Sequence, residues 1–366
     1  MMTMCKPVGC CRFIPALLLC CAPLVQCAPA APARGALVQK STEPLISSPA
    51  QFHAALQAWV EKAASPVVFR LSPALQSKWE ELVESGCWGE YARKCSVRYL
   101  ESGQVTLTLD YRDYVRLKHA RRDAAARAAL SAEHKQVLKL AEKYTAACTR
   151  PGMAAFEKVV ALHDFLVNHA RYDATGGGDI ADVLVRGRGS CEAYSAAMCL
   201  MLEIAGVPAR VVVGEAGCAH AWNLVKLGHE WYHVDVTWDD PIVAGGSQQE
   251  LSHAYCGVSD AEISQTHSWN RSAYPRSGAI PSFYFHQNGR SYASFDSFWE
   301  AAMQACRAGQ PRFEAYLKNY GNSQTFQKNM KRATQKSPGP SRIIWSGPRG
   351  ASGPVIVSFG EKSVHL

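Results

Sequence analysis

Apolar residues recur at helical spacing through the middle of the chain and at alternating spacing in shorter runs on either side. Val137, Leu140, Ala141, Tyr144 and Ala147 line one face of a helix over 131–148 that stops before Pro151 and Gly152. Phe156, Val159, Val160, His163, Leu166, Val167 and Ala170 form the next stripe. His163 falls inside it, and a lone histidine on an apolar face reads as a hydrogen-bonded core residue. Tyr194, Ala197, Met201 and Ile204 mark a third helix, opened by Ser190 as N-cap and closed at Gly206. The runs 219–225 and 231–237, rich in β-branched and aromatic residues, read as a hairpin turning through Leu227, Gly228 and His229. Ser259 and Glu262 have capping-box spacing for a helix beyond it.

The flanks share an order of elements. Before the central region come a helix over 51–62, a strand 66–71, a helix 73–84 and a hairpin of 95–100 with 105–111. After it come a helix over 296–307, an extended 312–317, a helix 324–334 and a hairpin of 342–345 with 354–359. The expected organisation is a central domain over 128–285 between two α-β-α-β-β modules, 49–115 and 295–366. Two readings of the modules stand side by side: they dock beside the central site and recognise substrate, or they pack against the core and shield it.

Composition adds compartment and partners. The 366 residues are 48% hydrophobic, enough for a packed core and unlike a disordered chain. Lys6 and Arg12, the apolar 13–25 and the small residues Ala28, Pro29 and Ala30 have the layout of a signal peptide over 1–30, followed by a Pro/Ala/Ser linker over 31–48. No stretch reaches transmembrane length, so the expectation is an exported protein, periplasmic, secreted or at the cell surface. Cys27 offers a second reading, lipid anchoring, against which Gln26 is a poor fit before a lipidated cysteine.

The net charge of +8 falls to +6 once Lys6 and Arg12 leave. Its densest run, 112–122, reads as a solvated strand end and connector, and no nucleic-acid motif accompanies it. Six of the 14 cysteines lie in the leader. Of the remainder, Cys87 and Cys95 bracket a short segment and are the disulfide candidates in an oxidising compartment. No Cys or His spacing reads as a metal site.

The candidate chemistry is Cys191, His220 and Asp235, in that order. Ser190 as N-cap places Cys191 in a first helical turn, where the helix dipole favours thiolate and outward N–H groups can hold an oxyanion. Reflecting 220 about a turn centred between 227 and 228 lands on 235, so His220 and Asp235 are expected directly opposite one another, on one face. A turn displaced by one residue is expected to spoil that contact. Trp222 and Trp231 are expected to wall the site, Trp238 to stand at its mouth and Asn223 to support the base. Cys218, two residues before His220, shares its strand parity and is a redox candidate that could cross-link to Cys191, against the plainer and favoured reading that it packs under the strand or pairs with Cys256 or Cys306.

These blocks resemble the transglutaminase-like superfamily, relatives of papain-type cysteine proteases. The resemblance runs from about 130 to 269 and rests on Pro151-Gly152-Met153, the 156–168 helix ending at Tyr172-Asp173, the Cys191 helix, His220-Ala221-Trp222-Asn223, Trp231 through Pro241, and Val258 through Trp269. Ala193 departs from it, since such proteins commonly carry glycine there. The resemblance implies an α+β fold, a helical half bearing Cys191 packed on an antiparallel sheet bearing His220 and Asp235, and no organic cofactor. It further implies attack on a protein or peptide amide through a Cys191 thioester, resolved by an amine in cross-linking or by water in deamidation or proteolysis. A cell-wall peptide is one substrate that fits export. The alternative from another class is a non-catalytic peptide- or wall-binding module using the same cleft.

Overall fold

Helix Cys191–Ile204 buries 11 of its 14 residues. A helix apolar all round belongs in an interior, and the rest of the central domain is wrapped about this one. In the computed structural model, which describes residues 24–25, 43–84, 88–100, 102–240, 251–277, 280, 282–336, 342–346 and 352–360, helices Asp113–Arg122, Ala132–Cys148, Ala155–His169 and Ile180–Leu184 pack against it. Strands Ala209–Glu215 and Ala219–Leu227 cover it from another side. Apart from Leu24–Val25, the leader, Cys27 included, and most of the linker lie outside the described residues, and no helix among the described residues is long and apolar enough to cross a membrane.

The central sheet is antiparallel, in the order Cys256–Val258, Glu230–Val234, Ala219–Leu227, Ala209–Glu215, Ser268–Trp269. Ala221 and Val225 face the core shared with the Cys191 helix, while Trp222 and Leu224 face a second cluster with Val212, Val258, Ile263 and Tyr274. The chain is thus α+β, with a helical half on one face of an antiparallel sheet. After the sheet, Ser259 opens helix Asp260–Ile263 with a reciprocal capping box to Glu262.

The flanking modules share one strand plan. Near the N-terminus the order is Leu45–Ile46, Val67–Leu71, Gln104–Tyr111, Ala92–Tyr99, the first pair parallel and the others antiparallel. Near the C-terminus it is Ser291–Tyr292, Arg312–Leu317, Gly353–Gly360, Arg342–Ser346, with the same senses. In each, a 13-residue helix (Pro49–Glu61, Phe295–Arg307) joins the two parallel strands. The N-terminal sheet also pairs Leu24–Val25 with Ala92–Tyr99. The first strand of that plan, Leu45–Ile46, lies in the stretch expected to be linker, because two residues carry no period to detect. Their packing differs: Phe52, Phe69 and Leu107 belong to the same buried cluster as Leu162 and Met198, whereas Phe298, Phe313, Phe326 and Val357 form a separate one.

The basic run 112–122 is not a solvated connector. Tyr114, Val115, Leu117 and Ala120 are buried on helix Asp113–Arg122, and its cations meet the protein's own carboxylates: Arg112 with Glu192, Arg116 with Asp110, Lys118 and Arg122 with Glu203. Interleaved charge hid the i, i+3 apolar spacing.

Glu90, 1% exposed, carries the main polar link between the N-terminal module and the central sheet. Its carboxylate accepts from Arg210 Nε at 3.0 Å and from the same guanidinium's second nitrogen, while the Arg210 guanidinium lies 4.7 Å over the Tyr274 ring. Burial raises the Glu90 pKa against the lowering by Arg210, so the carboxylate depends on its partner. Arg210→Met should therefore cost about 3–5 kcal/mol, most of it the penalty of an unpaired buried charge, and Glu90→Gln added to it should restore much of the loss. Urea unfolding midpoints of the single and double variants check this. A single variant within 1 kcal/mol of wild type, on the order of one exposed ion pair, would sink the idea.

Candidate active site

The helix start delivers Cys191 as its first residue. Ser190 is the N-cap with extended backbone, but its side chain makes no capping bond; its N–H and Oγ both donate to the Gly177 carbonyl, at 3.1 and 3.2 Å. The first-turn amides therefore keep their donors outward, unspent on a cap. Ala193 is fully buried, and a Cβ added to Gly189 would lie 2.9 Å from its methyl, so the alanine fills space that only glycine at 189 leaves open. Cys191 is 9% exposed and its thiol is within hydrogen-bonding reach of His220.

His220 Nε2 meets Asp235 Oδ2 at 2.7 Å, which leaves Nδ1 for Cys191. The ladder that achieves this differs from the expected one. Leu227 pairs with Glu230 around a two-residue turn, Gly228–His229, and Val234 pairs with Asn223, so 235 continues opposite 222 rather than 220. The turn centre has moved by one residue, which moves the pairing by two and preserves the face. Strand Glu230–Val234 then ends, and Asp235 reaches His220 along the diagonal.

Asp235 is fully buried and saturated. Oδ2 also takes His267 Nε2 at 3.0 Å, and Oδ1 accepts the amides of Thr237 and Trp238 at 3.0 and 3.1 Å. Burial would raise its pKa, but the two imidazoles hold it well below the usual carboxylate range. Burial likewise opposes charge on His220, yet Asp235 and Cys191 together push it up to about 10. The arrangement favours an imidazolium between a carboxylate and a sulfur. His267 has no strand period to announce its role; the only signal was its place at the end of the last matching block.

Of the other candidates, Trp222 stacks on His220 with ring centroids 5.9 Å apart and donates Nε1 to His233 Nδ1 at 2.9 Å. His233 therefore carries its proton on Nε2, facing Asp260 at 2.8 Å. Trp238 is half-buried, 6.2 Å from the His220 ring and 4.7 Å from that of His267. Trp231 does not wall the site: four residues before Asp235 on the strand, it packs with the cluster of Trp222, Leu224 and Tyr274. Asn223 does not touch His220 either. Pointing to the opposite face, its Nδ2 donates to the Ser195 carbonyl at 2.9 Å and pins the Cys191 helix to the sheet. Tyr194 ties the same helix to the turn beyond strand Glu230–Val234, donating to Asp240 Oδ2 at 2.7 Å.

The strand parity proposed for Cys218 does not apply, because it closes a tight turn before strand Ala219–Leu227 begins. The Ala216 N–H donates to the Cys218 carbonyl at 2.8 Å and Gly217 takes φ +81°, a conformation that favours glycine. Cys87 lies outside the described residues; Cys95 is half-buried, and burial pushes its thiol up to about 11.

Comparison with known proteins finds a family match over part of the chain. Residues 139–236 match the family described as the transglutaminase-like superfamily. No curated protein matches the chain. Among solved structures, one described as a TGase is 15% identical, with 64% of this chain and 67% of that one covered and a TM-score of 0.27. The periplasmic domain of TgpA from Pseudomonas aeruginosa is 21% identical over 39% of this chain and 60% of its own, with a TM-score of 0.24. LapG of Legionella pneumophila is 15% identical over 40% and 80%, also with a TM-score of 0.24. The matched segment contains the Cys191 helix, His220 and Asp235, and over it the chain is similar to the transglutaminase-like superfamily.

Proposed function

We propose that the protein is an exported cysteine enzyme that transfers or hydrolyses acyl groups of protein or peptide amides. The observation that carries this reading is the line from the Cys191 thiol through His220 to the saturated Asp235 carboxylate. In the proposed cycle the Cys191 sulfur, its proton passed to His220, adds to the amide carbonyl carbon. The Cys191 N–H is one donor to the resulting oxyanion. The tetrahedral adduct collapses as His220 returns the proton to the departing ammonia or amine, leaving a thioester. A second nucleophile then gives its proton to His220 and displaces Cys191. An amine yields a cross-link and water yields deamidation or cleavage, with the same residues in the same roles.

One incubation separates these outcomes: a glutamine-containing protein with a tagged amine, followed for ammonia release, tag incorporation and new termini. Release of ammonia with tag incorporated supports transamidation, release without tag supports deamidation, and new termini support proteolysis. Silence in all three, across substrates including wall peptides, would overturn the enzymatic reading in favour of a binding module. Export rests on the leader's composition, and the mature chain is expected to begin near Ala31. An N-terminal sequence starting at Met1 from the envelope fraction would refute it.

A further inference from the structure

A second cluster of ionisable side chains lies outside the catalytic line. His163, on helix Ala155–His169, is fully buried, and its Nδ1 is 2.9 Å from Asp164 Oδ1 while its Nε2 is 3.2 Å from Asp239 Oδ2. His253, 7% exposed, sets Nε2 at 2.9 Å from the same Asp164 oxygen and Nδ1 at 2.8 Å from Glu314 Oε2. Each imidazole thus has a carboxylate at both nitrogens. A neutral imidazole donates only one hydrogen, so one nitrogen of each ring faces an acceptor with nothing between. Charge states the same deficit. Asp164, Asp239 and Glu314 bring three negative charges, Arg312 bound to Glu314 returns one positive, and a remainder of two is left on a cluster in which only Asp164 is partly exposed.

Two protons could fill that deficit by making both rings imidazolium, at the cost of two like charges with ring centroids 5.4 Å apart. One divalent cation fills it without the repulsion. The three inner atoms, His163 Nδ1, Asp164 Oδ1 and His253 Nε2, lie within 4.8 Å of one another. Ligands about 2.0–2.1 Å from a zinc ion stand roughly 3.3 Å apart, so the two nitrogens, each 2.9 Å from Asp164 Oδ1, need to spread by a few tenths of an ångström to admit the ion. The outer nitrogens of both histidines meet buried carboxylates, Asp239 and Glu314, the arrangement that fixes tautomer and ring orientation in metal-bound histidine. Asp164 is one-third exposed and provides an entry path. Two imidazoles exclude the all-oxygen preference of calcium or magnesium and suit a first-row transition metal.

We propose that His163, Asp164 and His253 form a binding site for one divalent first-row transition-metal cation, zinc being the best match, oriented by Asp239 and Glu314. The site is structural. It ties the helix to residue 253, and through Glu314 to the C-terminal module. Through Asp239, four residues past Asp235, it also braces the turn whose amides hold the Asp235 carboxylate. The ligands come from segments 89 residues apart, which is why no spacing along the chain announced them.

The test uses the full mature chain carrying Cys191→Ser, which removes the thiol beside the other histidine pair, stripped with chelator and dialysed against Zn2+ or Co2+. One equivalent should bind, Co2+ should give the visible absorption of a low-coordinate nitrogen and oxygen site, and the unfolding temperature should rise with metal. Asp164→Asn and His253→Gln should each weaken binding at least 100-fold, and Glu314→Gln about 10- to 100-fold as an outer partner. His267→Gln, in the other histidine pair, should leave binding unchanged. Asp164 is partly exposed, so its asparagine variant keeps the test interpretable should His253→Gln fail to fold. Absence of binding, or binding lost in His267→Gln but kept in Asp164→Asn, overturns the proposal. The proposal does not depend on catalysis, so metal binding with no turnover would refute the enzymatic reading alone.

Discussion

Cys191→Ala is expected to bring ammonia release and amine incorporation to background, a loss on the order of a million-fold, with the fold intact. The size follows from the chemistry: without sulfur there is no thioester, and His220 can only assist water directly. The fold should survive because Cys191 is the first residue of its helix and 9% exposed, so an alanine leaves little void. A companion measurement separates nucleophile from bystander. Iodoacetamide should label Cys191 far faster than Cys199 or Cys256, both buried and both pushed up by that burial, or than Cys95, held at about 11. Turnover retained in Cys191→Ala would end the acyl-enzyme scheme. Slow, uniform labelling would favour a cleft that binds without reacting.

What could be read from the chain followed from how locally it was encoded. The Cys191 helix shows its period, its cap and its stop between Ser190 and Gly206, and its placement holds in the structure. The facing of His220 and Asp235 survived a wrong register because strand parity tolerates any even slip; an odd slip would have sent Asp235 to the other side. Trp231 and Asn223 were misplaced for a related reason: parity gives a face but not which neighbour waits there. Helix Asp113–Arg122 was hidden by charges that proved to be partners for Glu192, Glu203 and Asp110. His267, His253 and Glu314 were beyond reach, since each meets its partner across 32, 89 or 61 residues with no periodicity linking them. The repeated strand plan of the two modules was legible only as an order of elements; its shared parallel edge, Leu45–Ile46 and Ser291–Tyr292, is two residues long in each case.

Asp235→Asn should lower kcat/KM about 10,000-fold while sparing the fold, and the reason is hydrogen-bond polarity more than charge. Oδ1 accepts from the Thr237 and Trp238 amides, so the amide oxygen of asparagine must take that side. Its NH2 then faces His220 Nε2 and His267 Nε2, the two nitrogens that Oδ2 now receives. Forced to accept there, His220 carries its proton on Nδ1, the nitrogen left for Cys191, and can no longer take the thiol proton. Loss of the carboxylate also removes the largest influence raising His220, which stands at about 10. A base whose pKa is raised keeps its proton until the pH passes that value, so wild type should hold activity into the alkaline range and lose it near 10. In Asp235→Asn the alkaline limb of the residual rate should move to lower pH. Rates measured across pH, with nitrogen chemical shifts of the two histidines to report their tautomers, decide the matter. A loss smaller than about tenfold, or an unmoved alkaline limb, would mean that Asp235 supports the turn at 237 and 238 and does not orient the base.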